Sequence, residues 1–379
     1  MSLIVFGGSF DPPHRAHLRL LRKGLQALKG ASAVIVPAYH SPLKTSARVS
    51  GRERLGLIRS ALNSNLPKQF RKRVSIDSFE IGRGRMTYTY ETLRHLKRKH
   101  PGEKLYFLCG SDTVASLPKW AHPAEVAKNC TFLVGRRPGT RPPSKYSMKL
   151  LPGTFPRVSS SEIRFRMILG APVKTFLNDS VASRIRSRGL YGIGIHKRLK
   201  LELNPNRYAH TLAVTRHAAA MAKLHGLNAE QAALAGLLHD CGRAIPMAKM
   251  VAFMRRNRIQ MPALEETGRR QPMLMHAHAS EFRARTVYGV EDAGVLSAIR
   301  KHTLGDSNME ALDRLLYAAD ASSSDRSYPG VGKIRSALRR DLDEGFAEAV
   351  RNKLSDVLKQ GQWLHPSTAA VWNEAMESL

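Results

Sequence analysis

Acidic side chains are scarce in this sequence. Asp and Glu number 30 against 61 Lys and Arg, leaving a net charge of +31 over 379 residues. That shortage argues against a surface built for cationic partners and points to polyanions such as nucleotides, nucleic acid or anionic lipid. The excess is uneven: residues 1–195 carry 35 basic and 10 acidic side chains, residues 196–379 carry 26 and 20. Cysteine is rarer still. Cys109, Cys130 and Cys241 are scattered and odd in number, which excludes a disulfide framework and fits the reduced thiols of a cytoplasm. No apolar run reaches the ~18 residues of a membrane span, and the N-terminus enters a strand pattern without a basic leader. Neither a membrane span nor a signal peptide is expected, and there are no repeats or low-complexity segments. With 42% hydrophobic residues, the chain has the material for packed cores and the length for two domains.

What is present is concentrated first in residues 2–17, SLIVFGGSFDPPHRAH. Leu3, Ile4, Val5 and Phe6 read as a buried strand, Gly7-Gly8 as a tight loop, and the stretch from Ala16 to Leu28 as an amphipathic helix. Glycines closing a parallel strand let phosphate approach the backbone, and a following helix offers free N–H groups and the positive end of its dipole. His14 and His17 stand three apart, on one side of the first turn. Two imidazoles beside a phosphate site can stabilise charge developing on a phosphoryl oxygen.

The string GGSFDPPHRAH closely resembles the signature of the nucleotidyltransferase superfamily, and within it the bacterial nicotinate-mononucleotide adenylyltransferases. Ala16 departs from the glycine usual between the histidines. The resemblance implies that Gly7, Gly8, Ser9, Phe10 and Asp11 surround the nucleotide and that His14 and His17 contact ATP phosphates. Ala33–Pro37 reads as a second strand, completing a βαβ unit. Lys44 on the following loop takes the position of the family's phosphate-binding lysine, with Leu43 where histidine is usual before it.

Residues 51–65 read as a helix and 73–81 as a strand. The segment Thr87-Tyr88-Thr89 leads into the helical run 91–100. Residues 105–109 form a buried-strand pattern ending in Gly110-Ser111-Asp112, with Trp120 beyond. The resemblance brings Thr87, Tyr88, Thr89, Gly110, Asp112 and Trp120 to the pyridine nucleotide, Trp120 by ring stacking. A further strand at 131–134 is followed by a basic, proline-rich loop. Ser159, Ser160 and Ser161 then precede Arg164, a pattern that can cap a helix and bind an anion. VSSSEIR resembles the superfamily's second signature, which implies Arg164 on the triphosphate. The resemblance runs through residues 1–192, with 193–206 expected as a linker.

From residue 207 the pattern is helical. His210, the pair His239-Asp240, His276, His302 and Asp320 supply nitrogen and oxygen ligands for a divalent metal, enough for one or two ions. This ordered set resembles the HD-domain phosphohydrolases. The contexts AGLLHDCGRAI, VLSAIRKHTLG and LLYAADASSSDR are similar to those of the symmetrical bis(5′-nucleosyl)-tetraphosphatases. Ser323 and Ser324 stand where that family has Glu-Pro, while Arg326 is retained. The tail 330–379 reads as one or two amphipathic helices in which Trp363 and Trp372 pack.

The expected architecture is therefore a doubly wound parallel α/β domain, 1–192, followed by an all-α HD domain, 207–379. The resemblances imply a bifunctional cytoplasmic enzyme. Its first domain transfers AMP from ATP, carried with Mg²⁺, to nicotinate mononucleotide. Its second hydrolyses a dinucleoside polyphosphate with iron or manganese, with Asp240 among its catalytic residues. Two alternatives stay open: adenylyl transfer to another acceptor, and a basic nucleic-acid binder on a degenerate scaffold, which the intact motifs disfavour. Oligomeric state is not legible.

Overall fold

The computed structural model describes residues 1–40, 49–140, 146–156, 158–377 and 379. They form two compact units, Met1–Arg166 with Pro172–Tyr191, and Met167–Ala171 with Gly192–Leu379. Among the described residues no helix is long and apolar enough to cross a membrane.

The first unit is built on six strands: β1 Ser2–Gly8, β2 Ser32–Pro37, β3 Val74–Ile76, β4 Lys104–Gly110, β5 Thr131–Arg136 and β6 Met148–Thr154. Their order is β3-β2-β1-β4-β5-β6 and every pair is parallel. Parallel neighbours need crossovers, and the helices Arg15–Ala27, Gly51–Asn65 and Thr89–Lys99 lie on those connections. Side chains alternate across β1. Ile4 and Phe6 join Leu21, Leu25 and Ile58 in one core layer, while Leu3 and Val5 join Leu93, Leu96 and Phe107 in the other. Each such side chain stabilises the fold by about 1.5–3 kcal/mol relative to exposure. Chain direction around the sheet reverses between β1 and β4, so the crevice for a ligand opens at their carboxyl ends.

Several local expectations are corrected. The strand expected over 73–81 stops at Ile76, because the Asp77 carboxylate accepts from the Phe79 N–H at 2.9 Å and turns the chain into the short helix Phe79–Gly82. β6 was not expected; its alternation is weak, with only Leu151 buried. Most of 193–206 is the helix Gly192–Glu202 rather than a linker. It clusters with the second unit, where His196 Nε2 lies 2.8 Å from the Ile168 carbonyl.

The second unit contains no strand among its described residues. Asn204 caps Pro205–Leu224 by accepting from Arg207 N–H at 2.9 Å. The tail holds three helices, Val331–Arg340, Leu342–Lys359 and Ser367–Glu377, one more than its periodicity suggested. Asp341 starts a new helix directly after Arg340 by accepting from the N–H groups of Asp343 and Glu344.

Candidate functional sites

In the first unit, β1 and β4 end side by side in Gly8 and Gly110, and beyond them opens a cavity of about 530 Å³. Gly7, Gly8, Ser9, Phe10, His14 and His17 line it from the first loop. Thr87, Tyr88, Thr89, Gly110, Asp112 and Trp120 line it from the others, and Ser159, Ser160 and Ser161 from the start of the helix Ser160–Ile168. His14 N–H donates to His17 Nδ1 at 3.2 Å. His17 Nδ1 therefore accepts, and Nε2 carries the ring proton. Ser159 Oγ accepts from Glu162 N–H at 3.1 Å, and the Ser160 hydroxyl donates to the Pro12 carbonyl at 2.9 Å. Trp120 packs edge-on against Phe107, with its indole N–H on Ser116.

Asp11 and Arg164 are not among the lining residues. Asp11 is buried and accepts from the Tyr191 hydroxyl at 2.7 Å, while Arg164 donates to the Asp11 carbonyl at 2.8 Å and to Ser161 Oγ at 3.2 Å. Arg164, expected at the triphosphate, is thus engaged with the signature loop. Lys44 lies outside the described residues.

Two further residues carry weight that the sequence pattern did not signal. Arg54 is fully buried and donates to three carbonyls, Ser9 at 2.9 Å, Ala38 at 2.6 Å and Tyr39 at 3.2 Å, stapling the signature loop to the chain after β2. Glu80 lines the cavity. Burial pushes its carboxyl up to about 7, against the hydroxyl of Thr92 bonded to it at 2.6 Å.

In the second unit the six expected ligands converge. Gly236 allows this: a Cβ there would stand 2.9 Å from Thr215 Cα, so only glycine lets its helix lie this close to Pro205–Leu224. That contact sets His239, at the end of Ala229–Leu238, near His210. Gly242 performs the same service for the turn after Asp240, where a Cβ would stand 2.5 Å from the His276 carbonyl. His210 Nε2 is 3.1 Å and His239 Nε2 3.9 Å from Asp320 Oδ1. His239 Nε2 is 3.5 Å from Asp240 Oδ2, His276 Nε2 is 3.1 Å from Asp240 Oδ1, and His276 Nε2 is 3.1 Å from His302 Nε2. His210, His239 and Asp320 form one ligand group, and His239, Asp240 and His302 a second that shares His239.

The donor chemistry fits a divalent cation. His239, His276 and His302 each place Nδ1 within 2.6–2.7 Å of a backbone carbonyl three residues earlier. That fixes the proton on Nδ1 and turns the Nε2 lone pair inward. His239 Nε2 is buried with no hydrogen-bond partner among the described residues. Burial works against the charge on Asp240 and Asp320, but surrounding imidazole and guanidinium groups outweigh it and hold both carboxyls well below the usual range. Burial also pushes His239 and His302 down, toward the neutral form a metal requires. Arg207 and Arg243 donate to Asp240 at 2.8 and 2.9 Å, and Arg326 to Asp320 at 2.7 Å. Arg326 was expected from the sequence; Arg207 and Arg243 were not.

Comparison with known proteins matches both units. Residues 5–166 match the cytidylyltransferase-like family and residues 207–325 the HD domain. A Mycoplasma genitalium protein described as a probable nicotinate-nucleotide adenylyltransferase/Ap4A hydrolase is 27% identical over 86% of this chain and 88% of its own length. A probable nicotinate-nucleotide adenylyltransferase of Nitratiruptor sp. is 36% identical, over 49% of this chain and 97% of its own. A symmetrical bis(5′-nucleosyl)-tetraphosphatase of Halalkalibacterium halodurans is 32% identical, over 47% of this chain and 93% of its own. Each unit thus has relatives matched over nearly their whole length, and the chain belongs to the nicotinate-nucleotide adenylyltransferase family through its first unit and to the HD family of symmetrical bis(5′-nucleosyl)-tetraphosphatases through its second.

Proposed function

We propose that the chain is a bifunctional cytoplasmic enzyme of NAD biosynthesis and nucleotide turnover. The first unit joins ATP and nicotinate mononucleotide. A phosphate oxygen of the mononucleotide attacks the α-phosphorus of ATP, the bond to the β-phosphate breaks, and pyrophosphate leaves. No protein nucleophile takes part, so catalysis is positioning and charge stabilisation. His14 and His17 donate to the phosphates as charge develops, Lys44 joins them, and Arg164 keeps the loop that carries them in place. The backbone at Gly7 and Gly8 and the helix start at Ser159–Ser161 receive phosphate oxygens. Thr87, Tyr88, Thr89, Asp112 and Trp120 hold the pyridine nucleotide. Mg²⁺ enters with ATP.

The second unit splits diadenosine tetraphosphate with water into two ADP. His210, His239, Asp240, His276, His302 and Asp320 hold one or two ions, iron or manganese. A divalent metal there supplies Lewis-acid polarisation of a phosphate oxygen and activation of water. Arg207, Arg243 and Arg326 hold the cluster carboxylates and add positive charge that favours the polyphosphate. A basic chain without these sites would be read as a nucleic-acid binder; the intact cluster disfavours that here.

The observation that carries this reading is the convergence of six candidate ligand side chains in one unit, in a chain whose other unit gathers both signature segments around one cavity. The test is incubation with ATP and nicotinate mononucleotide, then with diadenosine tetraphosphate and Mn²⁺, with products identified by mass. Nicotinate adenine dinucleotide and ADP are expected. Absence of the dinucleotide would remove the first assignment, and release of AMP with ATP in place of ADP would remove the second.

A further inference from the structure

The carboxylate that orients His210 stands in the segment where this sequence departs from the resembled pattern. Ser323 and Ser324 occupy the places of Glu-Pro, and two residues beyond Ser323 stands Asp325. Its Oδ2 lies 2.7 Å from His210 Nδ1. The buried Ser323 hydroxyl donates to its other oxygen, also at 2.7 Å. Arg335 holds the backbone of this turn, donating to the carbonyls of Ser322 at 2.9 Å, Ser323 at 2.6 Å and Arg326 at 2.7 Å.

The Asp325 carboxylate only accepts, so His210 Nδ1 carries a proton and donates it. His210 Nε2 lies 3.1 Å from Asp320 Oδ1 and 3.3 Å from Arg326 Nη2, so it points into the cluster, where a divalent ion would take it as a ligand. His239, His276 and His302 have neutral carbonyls on Nδ1. Among the described cluster imidazoles only His210 has an anion there, and an anionic partner makes the opposite nitrogen a stronger ligand.

We propose that Asp325, braced by Ser323 and Arg335, is a positioning residue that fixes His210 as a metal ligand and raises the affinity of the second unit for its metal. This rests on the metal-site reading above. The full-length protein, stripped of metal, is titrated with Mn²⁺ against a competing chelator, beside its Asp325→Asn and Asp325→Ala variants. Both variants are expected to bind Mn²⁺ about 10–100-fold more weakly. Their metal-free thermal midpoints and their adenylyl transfer are expected to match wild type. Wild-type Mn²⁺ affinity in both variants would overturn the proposal. So would an affinity loss confined to Asp325→Ala and accompanied by a fall in its metal-free midpoint, since that marks a structural role. If the wild-type chain itself fails to bind Mn²⁺, the metal-site reading falls first and takes this proposal with it.

Discussion

The rings of His14 and His17 stack with centroids 3.6 Å apart and planes inclined by 20°. The stack fixes two imidazoles as one unit at the start of Arg15–Ala27, and the backbone bond into His17 Nδ1 sets the tautomer of the second ring. Replacing His17 therefore removes a donor and loosens its neighbour. His17→Ala is expected to lower kcat/KM for adenylyl transfer at least ~100-fold, in line with the loss of one charge-stabilising donor. Far-UV circular dichroism should be unchanged, with about 1 kcal/mol of stability lost with the capping contact. Turnover near wild type would remove His17 from the chemistry.

Asp240 is buried, accepts from Arg207 and Arg243, and lies 3.1 Å from His276 Nε2. Asp240→Ala is expected to bring the metal content of the purified protein down to background, measured by inductively coupled plasma mass spectrometry, and to abolish diadenosine tetraphosphate hydrolysis. Adenylyl transfer by the same preparation should stay within about twofold of wild type, because every lining residue of that cavity comes from the first unit. Retained metal would show that the remaining five side chains suffice.

Glu80 makes the first unit's stability fall as pH rises. Its folded carboxyl titrates near 7 against an ordinary 4.5. Between those values the folded chain holds a proton that the unfolded chain has released, so each step up in pH favours unfolding, by up to about 3 kcal/mol in all. Glu80→Gln removes the titration while keeping an oxygen for the Thr92 hydroxyl. The variant should match wild type at pH 5 and exceed it at pH 8 in urea unfolding. Trp120 fluorescence reports this unit when Trp363 and Trp372 are replaced by Phe. An equal difference at both pH values would refute the assignment.

Much of both sites was legible because the residues sit in short strings with fixed local geometry. GGSFDPPHRAH holds strand end, loop and helix start in eleven consecutive residues, and most ligands of the histidine cluster stand in short strings that carry the resemblance, AGLLHDCGRAI, VLSAIRKHTLG and LLYAADASSSDR. The missed residues act across distance. Arg54 is a helical arginine like its neighbours until the fold brings three carbonyls around it. Tyr191 reaches Asp11 across 180 positions, and Asp325 reaches His210 across 115. No periodicity encodes such pairs. The expected strand at 73–81 failed because Asp77, a turn-forming side chain, interrupts a run read only for its apolar positions.

The path of the chain between residues 166 and 192 bears on how such a gene could have been assembled or could be split. Met167–Ala171 packs with the second unit, and Pro172–Tyr191 returns to the first. No single break in the coding sequence parts the two cleanly. Ending the message after codon 191 strands Ile168 without the His196 ring that meets its carbonyl, and ending it after codon 166 discards Tyr191 and with it the hydroxyl that steadies Asp11. A viable fission would have to duplicate a short stretch, so that each daughter protein kept its own copy.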